Sequence, residues 1–194
     1  MAEERSELKV DKQRLTVLCA TLDKAFTLLS GVFDRVICIE PSEYVKNWEL
    51  FFQRCAENIK PNAKVYIQVV TYRHHSYDYT TRSKPLQSFI KGVTVLSNSV
   101  LLCFQRHLSI CSYYHMNGQH YEKLLDKWQQ NLENNKAELT LIMANHFQCS
   151  EKMATQIVEM WRLFFLACGV QMAYNNGDDW SISGYTFQKR ACPD

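Results

Sequence analysis

Apolar positions along this 194-residue chain fall into short runs and longer stripes, and each spacing predicts an element. Residues 36–39 (VICI) form an unbroken apolar run, the pattern of a parallel strand covered on both faces. Val45, Trp48, Phe52, Cys55 and Ile59 then recur at helical spacing, which predicts an amphipathic helix lying on the sheet. Lys60-Pro61-Asn62 should stop that helix, because proline cannot continue it and restricts the residue before it. Residues 65–70 are a second buried run, so 33–70 reads as a βαβ unit. Upstream, residues 15–22 (LTVLCATL) are apolar and β-branched and predict a further strand, followed by a loop or single helical turn over 23–30. Residues 1–14 are polar, carry both signs of charge and read as a tail.

The texture changes after Val70. Residues 71–83 (TYRHHSYDYTTRS) are polar and aromatic, 99–104 suit a short helix, and 108–116 a strand ending in an Asn117-Gly118 turn. Tyr121, Leu124, Leu125, Trp128 and Leu132 predict a helix of several turns from near His120. Met153, Ile157, Met160, Trp161, Phe164 and Cys168 predict a second long helix that packs on the first. Residues 175–179 (NNGDD) are a strong turn signal, and 180–188 (WSISGYTFQ) alternate as a closing antiparallel strand. Strands joined by helices place the domain, residues 15–194, in the α/β class.

Composition narrows the function classes. A net charge of +2 gives no reason to expect nucleic acid or an acidic membrane surface, and 12% aromatic residues suit a chain that lines pockets. Eight cysteines without a CxxC, five of them (Cys19, Cys38, Cys55, Cys103, Cys168) inside apolar runs, read as reduced thiols packed as small hydrophobes. Apolar runs fall short of a membrane span and the first residues are too charged for a secretory signal, so a cytosolic protein without stable membrane insertion is expected. No histidine or cysteine spacing suggests a metal. The glycines lie at 31, 92, 118, 169, 177 and 184, so the chain has no Gly-x-Gly. A nucleotide-binding α/β domain usually opens on a glycine-rich turn. Either no such ligand is bound, or the front of the domain is missing. Candidate chemistry follows the 36–39 run, where Glu40-Pro41-Ser42-Glu43-Tyr44 delivers two carboxylates and a phenol to the strand's carboxyl end, the usual ligand position in such sheets. On residue types alone, two solvated carboxylates ahead of a helix are the simpler reading.

Three blocks change that balance: FDRVICIEPSE, HMNGQHYEKLLDKW and EMWRLFFLACGVQMAYNNGDDWSISGYTFQKR. Over about residues 14–190 they resemble the carboxyl-terminal portion of coclaurine N-methyltransferase-like enzymes, which belong with the cyclopropane-fatty-acid synthases among S-adenosylmethionine-dependent transferases. The resemblance implies a Rossmann-like class I methyltransferase sheet lacking its first βαβ portion, with helical additions within 71–175 as a substrate cover. It implies S-adenosyl-L-methionine as cofactor and a small-molecule amine as acceptor. By resemblance, Glu40 lies beside the cofactor, and Glu43 holds or deprotonates the amine, which attacks a sulfonium methyl only as a free base.

Several positions depart from the family pattern. Tyr44 replaces a histidine, and a phenol with an ordinary pKa near ~10 is a poor base at neutral pH, although it still donates a hydrogen bond. Gln68 also replaces a histidine, keeping hydrogen bonding and losing proton transfer. Thr21 stands where an aspartate contacts the adenine. Tyr121, in NGQHY, matches a tyrosine that faces the acceptor pocket, with a core aromatic as an equal alternative. Trp161, Phe164 and Phe165 read as core, and His74-His75 as a solvated loop pair. With no glycine-rich loop, these departures point to weakened catalysis. Two other readings stand beside methyl transfer. One is a non-catalytic relative that self-associates or pairs with a partner through an exposed sheet edge. The other is lipid cyclopropanation, which Gln68 and Tyr44 disfavour.

Overall fold

The computed structural model describes residues 15–28, 33–41, 45–79, 89 and 92–189. It divides into two compact units, residues 1–31 and 32–194. In the first, residues 15–21 carry no regular structure and Leu22–Leu28 forms a short helix, α1. The strand expected over 15–22 is therefore absent. Leu15, Val17 and Leu18 are 58%, 83% and 47% exposed. A β-branched run becomes a strand only where a ladder partner exists, and among the described residues of this unit there is none.

The second unit is a six-stranded mixed sheet with helices on both faces. Its strands are β1 (Phe33–Ile39), β2 (Ile59–Tyr72), β3 (Tyr77–Asp78), β4 (Thr94–Ser97), β5 (Leu108–Asn117) and β6 (Trp180–Lys189). β2 is the spine. It pairs in parallel with β1 and then with β4 further along, and antiparallel with β6, which pairs antiparallel with β5. β3 lies antiparallel to β4.

Alternation along β2 sorts its side chains. Val65, Ile67, Val69 and Thr71 are buried on one face, opposite Phe187, Tyr185, Ser183 and Ser181 of β6. This face meets α2 (Trp48–Glu57), which Asn47 caps by accepting the Leu50 N–H at 2.9 Å and whose Phe52 ring lies 4.7 Å from Phe187. Tyr66, Gln68, Val70 and Tyr72 line the other face. There Val70, Tyr72, Trp180 and Ile182 pack with Leu125 of α3 (Gly118–Asn134) and Met172 of α5 (Glu151–Ala173).

Other expectations are revised. β1 is covered on one face only: Ile37 is 69% and Ile39 55% exposed, and among the described residues β1 pairs with β2 alone. Lys60-Pro61-Asn62 does not end the helix, which stops at Glu57. The proline lies inside β2 where the register with β1 slips, and Asn62 takes the left-handed φ of 64°. An irregularity of this kind tolerates a residue without an N–H. Helix α4 (Lys136–Phe147) gave no periodic signal, because Leu139, Leu141, Ile142, Met143 and Phe147 ring it rather than forming one stripe. Against the sequence expectation, Glu151–Gly177 is long and apolar enough to cross a membrane by length and composition, although α5 here packs against α3 and α4.

Candidate active site

The carboxyl end of β1 turns sharply into the acidic loop. Glu40 takes a left-handed φ of 51°, donates its N–H to the Gln68 carbonyl at 2.8 Å, and accepts the Val70 N–H on Oε2 at 3.0 Å. A non-glycine residue in that region is strained and persists only where its surroundings fix it. Here two hydrogen bonds to β2 do so, holding the carboxylate beyond the sheet's carboxyl end. The chain continues through buried Pro41, whose carbonyl accepts the Val45 N–H at 3.0 Å. Lys46 anchors the far side of the loop, donating to the Gly92 carbonyl and to Thr94 Oγ1, the latter at 2.6 Å.

α3 brings Tyr121 to this end of the sheet. Gly118 permits its approach, since a Cβ there would stand 2.2 Å from the Met172 carbonyl oxygen and 2.5 Å from that of Trp180. Asn117 caps the helix by accepting the Gln119 N–H at 2.9 Å. Tyr121 packs against the cluster that contains Val70 and Ile182. Burial pushes its phenol above the ordinary value, and the Glu40 carboxylate and then Cys168 push it further. Glu40 and Tyr121 are thus within electrostatic reach of each other, and Tyr121 is protonated at neutral pH.

Gln68 sits on the same face of β2 as Val70. Its Oε1 accepts from the Tyr66 hydroxyl at 3.1 Å, and Tyr66 shares a 2.6 Å hydrogen bond with Tyr114 of β5. Burial, then the contact with Tyr114, raises the Tyr66 pKa to about 12. The close phenol pair depends on Gly184, where a Cβ would lie 2.4 Å from the Tyr114 ring. Sequence reasoning missed Tyr66 and Tyr114. The period-two alternation of β2 placed Tyr66 beside Gln68, but the register with β5 came only from the fold.

The structure therefore brings Glu40, Gln68 and Tyr121 to one end of the sheet. Thr21 lies in the other unit, exposed and outside regular structure. Glu43 and Tyr44 fall outside the described residues. Trp161, Phe164 and Phe165 form an aromatic group on α5 with edge-to-face and tilted contacts. No group of three metal-ligating side chains occurs among the described residues.

Comparison with known proteins identifies the family and the fold. Residues 4–180 match the family model described as mycolic acid cyclopropane synthetase. The chain is 28% identical over 168 residues to (S)-coclaurine N-methyltransferase of Papaver somniferum, covering 81% of this chain and 46% of that protein. It is 25% identical over 191 residues to pavine N-methyltransferase of Thalictrum flavum subsp. glaucum, covering 94% and 52%. The chain thus spans about half the length of the relatives it matches. Among solved structures, coclaurine N-methyltransferase bound to N-methylheliamine and SAH superposes with a TM-score of 0.76 at 24% identity, over 83% of this chain and 49% of that one. A Mycobacterium tuberculosis cyclopropane synthase superposes at 0.63 with 14% identity, over 84% and 58%. Both likenesses establish the fold: an α/β sheet of the class I methyltransferase type.

Proposed function

Because the chain belongs to the mycolic acid cyclopropane synthetase family, whose members use S-adenosyl-L-methionine, we propose that it is a methyltransferase acting on the nitrogen of a small amine. The observation that carries this reading is Glu40, a carboxylate fixed by the Val70 N–H on a left-handed turn beside the Tyr121 phenol. The donor set suits the cofactor on charge and geometry. A positioned carboxylate at a strand's carboxyl end can accept from ribose hydroxyls and attract a sulfonium cation. When bound, the cofactor supplies an electrophilic methyl group. Glu40 orients the ligand that carries it. Glu43, three residues on, accepts the proton that the amine must lose before its lone pair is available. Tyr121 stays protonated and donates a hydrogen bond toward the acceptor, while the Gln68 amide, held through Tyr66, orients it without exchanging a proton. Tyr44 contributes a hydrogen-bond donor.

The test is methyl transfer to a panel of small secondary and tertiary amines, comparing the parent chain with Glu43→Gln and Glu40→Gln. Loss of a general base typically costs 10²–10⁴-fold in rate. Equal rates for parent and Glu43→Gln would remove Glu43 from the mechanism.

A second reading rests on β1. Among the described residues its outer edge has no ladder partner, next to the exposed Ile37 and Ile39, which makes it a template for strand addition. In this reading the chain is non-catalytic and associates with a second copy through that edge. Sedimentation velocity separates the two, since Ile37→Lys should abolish a dimer only if the edge is the interface.

A further inference from the structure

A recess beyond the Gln68–Val70 segment, at the carboxyl end of β2, is walled by aromatic rings inclined to one another, Tyr72 and Trp180 at 45°, His75 and Tyr77 at 53°, and the others more steeply. Tyr72 meets Tyr77 at 88° and His75 at 90°, with centroids 5.7 and 5.3 Å apart. Tyr77 meets Trp180 at 87° and 6.1 Å. Tyr174, 65% exposed, stands at the rim. The fold fixes these walls, because Tyr72 and Trp180 are a register pair of β2 and β6, and Tyr77 belongs to β3. Asp179 also lines the recess, and the residue is only 9% exposed. Its Oδ1 accepts from Asn175 Nδ2 at 2.9 Å and lies 3.7 Å from His74 Nε2. Its other carboxylate oxygen takes no hydrogen bond among the described residues. That oxygen is not among the buried unpartnered atoms of the described residues, so it opens to the solvent side of the recess, where a cation can reach it.

We propose that this recess binds a small methylated ammonium cation. Ring faces attract cations through their quadrupoles, and inclined aromatic walls suit the diffuse charge on N-methyl groups better than a hydrated point charge. The single carboxylate balances one positive charge. The cavity is about 270 Å³, below the usual range for drug-sized ligands, so it matches a head group rather than a larger molecule. The site is made entirely by residues of β2, β3, β6 and the turns beside them. None of Glu40, Gln68 and Tyr121 lines it, although Tyr121 packs on the same cluster as Tyr72, Tyr77 and Trp180.

Ligand-observed NMR titration of the full chain tests this with choline against 3,3-dimethylbutan-1-ol, its neutral isostere. Choline should bind, with the neutral isostere at least about tenfold weaker, the discrimination expected of a partly desolvated cation–π site beside a carboxylate. Asp179→Asn, which preserves shape and the Asn175 contact, should weaken choline about five- to tenfold, and Tyr174→Ala at the exposed rim should weaken it less. Glu40→Gln should leave choline binding unchanged, which keeps this result separate from the cofactor site. Equal affinity for choline and its isostere, or no choline binding up to about 100 mM, well beyond a millimolar Kd, would overturn the proposal.

Discussion

Gly118 and Gly169 are both buried glycines of helices in the second unit, yet alanine should have opposite effects at the two. At Gly118 the added methyl would sit 2.2 and 2.5 Å from two backbone carbonyl oxygens, those of Met172 and Trp180. Ordinary contact requires α3 to move away from α5 and β6 by about 1 Å, and overpacking of this kind costs about 1–3 kcal/mol. At Gly169 the nearest atom is Leu125 Cβ at 4.0 Å, which is normal contact. There the dominant effect is helix propensity, which favours alanine by about 0.8–1.0 kcal/mol. For a domain of this size, each kcal/mol moves the melting midpoint by about 2–4 °C. Calorimetric melting should therefore show Gly118→Ala lowered by about 2–12 °C and Gly169→Ala raised by about 2–4 °C. A Gly118→Ala midpoint at or above that of the parent would refute the close clamp of α3 on which the placement of Tyr121 depends.

Glu40→Gln should bring the Tyr121 phenol partway back toward its ordinary pKa, because it removes one raising cause and leaves burial in place; NMR pH titration of the tyrosine ring signals reads this directly. Tyr185 is fully buried and donates to the Asn98 carbonyl at 2.7 Å, so Tyr185→Phe should cost about 1–2 kcal/mol by urea unfolding. Lys136 and Arg162 hold Glu159 below its ordinary carboxyl value, at 2.5 and 2.7 Å. That contribution is complete above the unfolded pKa and disappears as pH falls through the lower folded one. Glu159→Gln should therefore lower the urea midpoint at neutral pH, with an effect that shrinks steadily as the pH is taken down through the acid range; an effect independent of pH would assign the loss to packing rather than charge.

Legibility in the sequence followed the physics of each element. The stripe on α2 marks one buried face, and helical spacing also located α3 and α5, although on α5 the buried residues are Ala154, Val158, Gly169 and Met172 rather than the predicted stripe. β6 was located by its alternation but is buried on both faces. Helix α4 has apolar side chains around its circumference and offers no stripe to read. Residues 15–22 have the composition of a strand, but a strand is a property of a pair, and the partner is not written in the run itself. β1 has the apolar continuity of a doubly covered strand, whereas Ile37 and Ile39 are exposed among the described residues. At the site, the Glu40 position was readable from the end of an apolar run. Its left-handed turn and its bond to Val70 were not, since both depend on the register between β1 and β2. The aromatic recess was the least legible, because Tyr72, Tyr77 and Trp180 come from three strands, the first and last more than a hundred residues apart in the chain.

The most direct measurement is calorimetric titration of the 194-residue chain with S-adenosylhomocysteine, repeated on Glu40→Gln. The account predicts saturable binding by the parent chain and at least about tenfold weaker binding by the variant, the loss of one charge-assisted hydrogen bond. No binding by the parent chain up to millimolar concentration would contradict it, and would leave association through the β1 edge as the function to pursue.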